Sequence, residues 1–120
     1  MKKRILSMIL ATVMVAAMLV GCGSASSSNK VGVAMPTKDL QRWNQDGANM
    51  KSQLEAAGYE VDLQYVANDI QTQVSQIENM INSGCKVLVI ASIDGDSLGT
   101  VLEQAKEKGI PVIAYDRLIM

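Results

Sequence analysis

The sequence predicts an α/β domain built on an open, doubly wound parallel sheet. Three observations predict it. Short apolar runs at residues 31–35, 61–66, 87–91 and 110–115 alternate with segments of helical periodicity. Glycines that close the helices fall at positions 58, 84 and 109, separated by 26 and 25 residues. The run at 87–91, Val-Leu-Val-Ile-Ala, is apolar throughout and not alternating. A strand covered by helices on both faces has that composition.

The chain opens with Met1, Lys2, Lys3 and Arg4, followed by a mostly apolar stretch from 5 to 20. A basic start ahead of a short apolar stretch reads as a secretory signal. It is shorter than the roughly 20 residues that span a bilayer. The segment Leu19-Val20-Gly21-Cys22 resembles the lipobox of bacterial lipoproteins. That resemblance implies that Cys22 carries a diacylglycerol thioether and becomes the acylated N-terminus. Residues 1–21 are then a lipoprotein signal peptide, and 22–29 are the lipidated cysteine and a small, polar tether. Anchoring by more than one acyl chain is stable where one chain is marginal. A lipidated Cys22 leaves Cys85 without a partner, and its apolar context predicts a buried free thiol.

Residues 30–120 form the domain. After the first strand, Leu40, Trp43, Gly47, Met50, Leu54 and Ala57 recur at spacings of 3, 4, 3, 4 and 3, one face of a helix. Gly58 closes that helix. The second strand leads to a stripe of Ile70, Val74, Ile77 and Ile81, with Asn68 and Gln71 placed to form a capping box. The third helix carries Leu98, Val101, Leu102 and Ala105. The fourth strand opens a unit that these residues do not complete.

Several function classes are disfavoured by composition. The chain has 11 basic and 12 acidic side chains, and without Lys2, Lys3 and Arg4 its net charge falls from −1 to −4. Nucleic-acid binding needs clustered positive charge, and no basic stripe follows the leader. There is no histidine, so a Ser-His-Asp or Cys-His nucleophile and histidine metal ligands are excluded within this sequence. Residues 35–38, Met-Pro-Thr-Lys, are no glycine-rich phosphate loop. Asp94-Gly95-Asp96 is too short for a calcium loop. No catalytic residue, metal or cofactor is expected.

In open parallel sheets ligands bind beyond the carboxyl ends of the strands, where the strand order reverses. For an order of 2-1-3-4 the loops at 36–43, 92–95 and 116–117 converge. They offer Arg42, Trp43, Asp94, Asp116 and Arg117. Carboxylates accept from hydroxyls, and guanidinium groups donate in a planar fork, so the set suits a neutral polyol. Pattern alone leaves each residue two roles. Trp43 lies on the helix stripe and serves equally as core. Asp116 and Arg117 can be a solvated ion pair. Asp94 can be a helix cap, and Lys38 and Asp39 are read as loop solvation.

Three segments carry a resemblance: Met35-Pro36-Thr37-Lys38 with Arg42-Trp43 and Asp46-Gly47, then residues 76–81, then residues 114–119. The sequence resembles the periplasmic sugar-binding proteins of ABC importers, in the xylose-binding and multiple-sugar-binding branch. The resemblance implies a type I periplasmic-binding-protein fold, with two α/β domains holding one sugar in the cleft between them. It implies that Arg42, Trp43, Asp116 and Arg117 touch a monosaccharide, with Asp94 a further candidate, and that an ABC permease is the partner. Members are more than twice this length, so residues 30–120 correspond to an incomplete first domain. By itself that segment is expected neither to fold well nor to bind sugar. A sugar-sensing lipoprotein for a chemoreceptor or sensor kinase is the alternative. A transcriptional regulator would need a DNA-reading domain where the leader stands. An enzyme on the same sheet has nothing in these residues that calls for it.

Overall fold

The structure, a computed structural model, describes residues 29–119. The leader and the lipobox cysteine Cys22 lie outside the described residues. The elements run β1 (Lys30–Met35), α1 (Gln41–Ala56), β2 (Glu60–Tyr65), α2 (Ile70–Asn82) and β3 (Val87–Ile90). A 3-10 turn (Asp96–Leu98), α3 (Gly99–Glu107) and β4 (Val112–Ala114) follow. The four strands are parallel, as the strand-helix rhythm predicts, and their order is β2-β1-β3-β4.

Alternation along each strand sends successive side chains to opposite faces and so builds two cores. Val31, Val33, Met35, Val89 and Ala91 pack with Trp43 of α1. Ala34, Leu88 and Ile90 pack on the other face with Ile77, Met80 and Ile81 of α2 and Val101 and Ala105 of α3. Gly32 lies on this second face. A Cβ there would sit 2.8 Å from Met80 Sδ and 2.9 Å from Leu88 Cδ2, so the glycine permits α2 to lie close on β1. Cys85 is buried at the end of α2, and burial pushes its thiol pKa up.

The helices all stop the same way. The amides of Tyr59, Cys85 and Ile110 bond the carbonyls of Leu54, Met80 and Ala105. Those of Gly58, Gly84 and Gly109 bond Glu55, Ile81 and Lys106. This is the Schellman pattern, and it needs the left-handed backbone (φ 93°, 85° and 69°) that glycine adopts without strain. It also shortens the fourth strand relative to the apolar run at 110–115. The Ile110 amide is spent on α3 and Pro111 has none, so pairing starts at Val112.

The capping box expected from Asn68 and Gln71 does not form. Asp69 is the N-cap of α2, and its carboxylate accepts from the Thr72 amide at 2.6 Å. Asn68 instead takes the left-handed turn, φ 56°, that asparagine tolerates. Asp69 therefore stands one position closer to the helix, three residues before the amide it caps.

Candidate functional site

The reversal of strand order lies between β1 and β3, whose following helices start on opposite faces of the sheet. That geometry opens a crevice above the carboxyl ends of β1, β3 and β4. Three of the predicted residues meet there.

Arg42 stands in the first turn of α1 with its side chain 59% exposed. Its Nη2 donates to Asp116 Oδ1 across the crevice. Its Nε lies 3.6 Å from Asp46 Oδ2, one helical turn further on. The guanidinium also sits over the Trp43 ring, 4.9 Å from its centre. The hydrogen bond and negative charge of Asp116 raise the Arg42 pKa above its ordinary value. Asp116 follows β4 in a left-handed conformation, φ 65°, a turn that brings it to Arg42.

Two members of this network escaped the sequence reading as site residues. Asp46 accepts from the Tyr115 hydroxyl at 3.1 Å, which joins α1 to the end of β4. That bond is the first cause of a raised Tyr115 pKa, with burial and the Asp46 charge adding to it. The signal for Asp46 was its position one turn after Arg42, the i,i+4 spacing of helical ion pairs. Nothing local pointed to Tyr115, because its partner is 69 residues away.

Arg117 is held differently. Its Nη1 donates to the carbonyls of Ser92 (3.2 Å) and Ile93 (3.3 Å), which tie the loop after β4 to the loop after β3. Asp94 lies in that second loop, but its carboxylate is occupied locally. Oδ1 accepts from the Asp96 amide at 3.3 Å and Oδ2 from the Ser97 hydroxyl at 2.5 Å. It is not the N-cap of the third helix, which is Leu98; it braces the 3-10 turn from the residue before that turn's N-cap, Gly95.

Trp43 takes the core position that its helix stripe allows. It is 3% exposed and packs between α1 and the sheet, with Arg42 over its ring. Stacking on a pyranose needs an open aromatic face, and this ring is committed to the core by the helical period that places it there. Lys38 lies on the β2 side, its ammonium 5.2 Å from the centre of the Tyr65 ring. It borders a hollow of about 350 Å³ with Thr37, Asp39 and Ala67. An apolar groove of about 520 Å³ runs along α3 and β4 between Leu102, Ile110, Val112 and Ile119. Neither hollow is lined by Arg42, Asp116 or Arg117.

Comparison with known proteins identifies the architecture. The family described as periplasmic binding protein domain matches residues 31–120. The chain is 53% identical over 117 residues to the multiple sugar-binding periplasmic receptor ChvE of Rhizobium radiobacter, covering 98% of this chain and 33% of that protein. It is 39% identical over 111 residues to the D-xylose-binding periplasmic protein of Escherichia coli K12, covering 92% and 34%. Among solved structures, an ABC transporter solute binding protein from Clostridium phytofermentans with bound β-D-glucose shares 82% identity and a TM-score of 0.75. That match covers 76% of this chain and 28% of the other. The chain spans about a third of the length of the curated relatives it matches. The sheet order, the two helical layers and a match that begins one residue into β1 lead to one conclusion: the chain belongs to the periplasmic binding protein domain family.

Proposed function

We propose that this chain forms one wall of a monosaccharide site in an extracytoplasmic solute-binding protein that serves an ABC permease. The observation that carries this is the convergence of Arg42, Asp116 and Arg117 above the ends of β1, β3 and β4. A sugar hydroxyl both donates and accepts. The paired Arg42 and Asp116, with Asp46 beside them, offer both functions, and Arg117, seated on main-chain carbonyls, adds further donors. A neutral polyol fits such a site where a free anion or cation would leave an uncompensated charge. The relatives named above include a multiple-sugar receptor, a D-xylose-binding protein and a protein with bound β-D-glucose, which supports a pentose or hexose ligand.

In this reading Trp43 does not touch the sugar. It supports the Arg42 guanidinium from below, a cation–π contact that orients the fork. Asp46 holds the same arginine from the side and is itself held by the Tyr115 hydroxyl. A second domain closes over the sugar by hinge motion, and the closed form docks on the permease. Cys22 carries the lipid anchor and residues 23–29 the tether.

The test is a calorimetric titration of the complete gene product, freed of its leader, with D-glucose, D-xylose, L-arabinose, D-ribose and D-galactose. One or two of these are expected to bind saturably. Arg117→Ala or Asp116→Ala should weaken that binding by roughly tenfold to a hundredfold, the worth of one or two charge-assisted hydrogen bonds. A folded protein that binds none of the five overturns the reading.

A further inference from the structure

Beyond the residues that would meet the sugar, one buried side chain sets the geometry of the crevice. Gln73 of α2 is 1% exposed, on the helix face that also carries Ile77. A polar amide there costs free energy unless both of its ends are bonded, and a Met or Leu would fill the space without that demand. Both ends are bonded. Nε2 donates to the Ala91 carbonyl at 3.0 Å, and Oε1 accepts from the Ile93 amide at 3.0 Å. The alternative amide orientation would set donor against donor and acceptor against acceptor.

The place of these bonds is what matters. The register of β3 with β1 ends at Ala34 and Ile90, and the Ala91 amide makes the last bond to β1. Past that amide the ladder with β1 stops, at the Ala91 carbonyl and residues 92–93. Gln73 takes the Ala91 carbonyl and the Ile93 amide, as a neighbouring strand would. Between and beside those two bonds stand the Ser92 and Ile93 carbonyls, the two acceptors of Arg117 Nη1. The seat of Arg117 is therefore a stretch of main chain whose position α2 dictates through one amide.

We infer that Gln73 is a positioning residue for sugar binding: it fixes the 91–93 main chain on which Arg117 rests and so sets where that guanidinium meets the ligand. This rests on the function proposed above. Loss of the amide frees the Ala91 carbonyl and the Ile93 amide, lets the segment drift, and moves the Arg117 seat with it. The effect reaches the ligand only through Arg117.

That last property separates positioning from plain structural support. The experiment uses the complete gene product without its leader and the same five sugars, in four forms: unaltered, Gln73→Met, Arg117→Lys and the double variant. Circular dichroism and thermal melting establish folding of each. The expected result is a Kd about tenfold weaker in Gln73→Met, equivalent to one hydrogen-bonded contact. The same change should add nothing further in the Arg117→Lys background, the non-additivity of two residues acting as one unit. Unaltered affinity in a folded Gln73→Met protein overturns the inference and leaves the sugar-binding function standing. So does a loss that adds in full to that of Arg117→Lys. If the unaltered protein binds none of the sugars, the function falls and the inference with it. Should Gln73→Met fail to fold, amide exchange of the unaltered protein decides. An Ile93 amide protected like those of the β3 ladder supports the inference, and one that exchanges freely in the sugar-saturated protein overturns it.

Discussion

Trp43 and Gly47 are one helical turn apart on the same face of α1, and they divide the work of seating that helix on the sheet. The tryptophan fills the space between helix and strands, and the glycine lets the helix come down beside it. A Cβ on Gly47 would collide with the Tyr65 hydroxyl and stand 3.1 Å from Tyr65 Cζ and 3.2 Å from Leu63 Cδ1. Tyr65 in turn donates to the Trp43 carbonyl at 3.3 Å. Gly47→Ala should therefore push Tyr65 aside and destabilise the complete gene product by about 1–3 kcal/mol, the usual cost of overpacking. Urea titration with a shifted midpoint and unchanged slope would show it. The same change lifts α1, which carries Arg42, so sugar affinity should fall alongside stability.

Among the elements, α2 shows most clearly how a local signal and a long-range role share one helix. Its start is set by Asp69, whose carboxylate bonds the Thr72 side chain and amide and is held below the usual carboxylate pKa by them. A depressed folded pKa stabilises the helix above the unfolded value, and that contribution is lost as pH falls through the folded pKa. Asp69→Ala should then lower the melting temperature at pH 7. The gap between variant and unaltered protein should close below about pH 4, the range in which the unfolded carboxyl protonates. A gap that stays constant down to pH 2 would argue against the cap. Gln73, one turn later, closes the first turn through its own amide, but its side chain is directed away from the helix. Its partners lie 18 and 20 residues away, just past the end of β3.

For the whole molecule the decisive feature is where cover is missing. On the face of the sheet that holds α1, Ile113 of β4 is 53% exposed, and Leu118 just beyond is 84% exposed. β4 pairs with β3 on one side only among the described residues. An open strand edge flanked by exposed apolar side chains invites association. The segment 23–120 made by itself should accordingly self-associate with rising concentration in sedimentation velocity runs. Ile113→Lys with Leu118→Lys should reduce that association, since charge on an edge strand opposes pairing. A monodisperse, cooperatively melting 23–120 polypeptide would show that the edge needs no cover.

The strands, helices and their order were legible because each rests on a local rule. Apolar runs, the 3.6-residue stripe and a glycine at each helix end are properties of neighbouring residues, and short strand-helix connections leave few topologies open. The arrival of Arg42, Asp116 and Arg117 at one crevice followed from that topology. The roles of those side chains did not. Trp43 looked the same as a core residue or a sugar platform until the packing of α1 chose the core, because the period that buries a helix face is blind to what lies over it. Asp46, Tyr115 and Gln73 have partners 69, 69 and about 20 residues away. Local pattern describes which backbone groups a segment can satisfy for itself. The groups left over, such as the Ala91 carbonyl and Ile93 amide past the end of a ladder, are satisfied by whatever side chain the fold brings near. Only the tertiary structure decides which one that is.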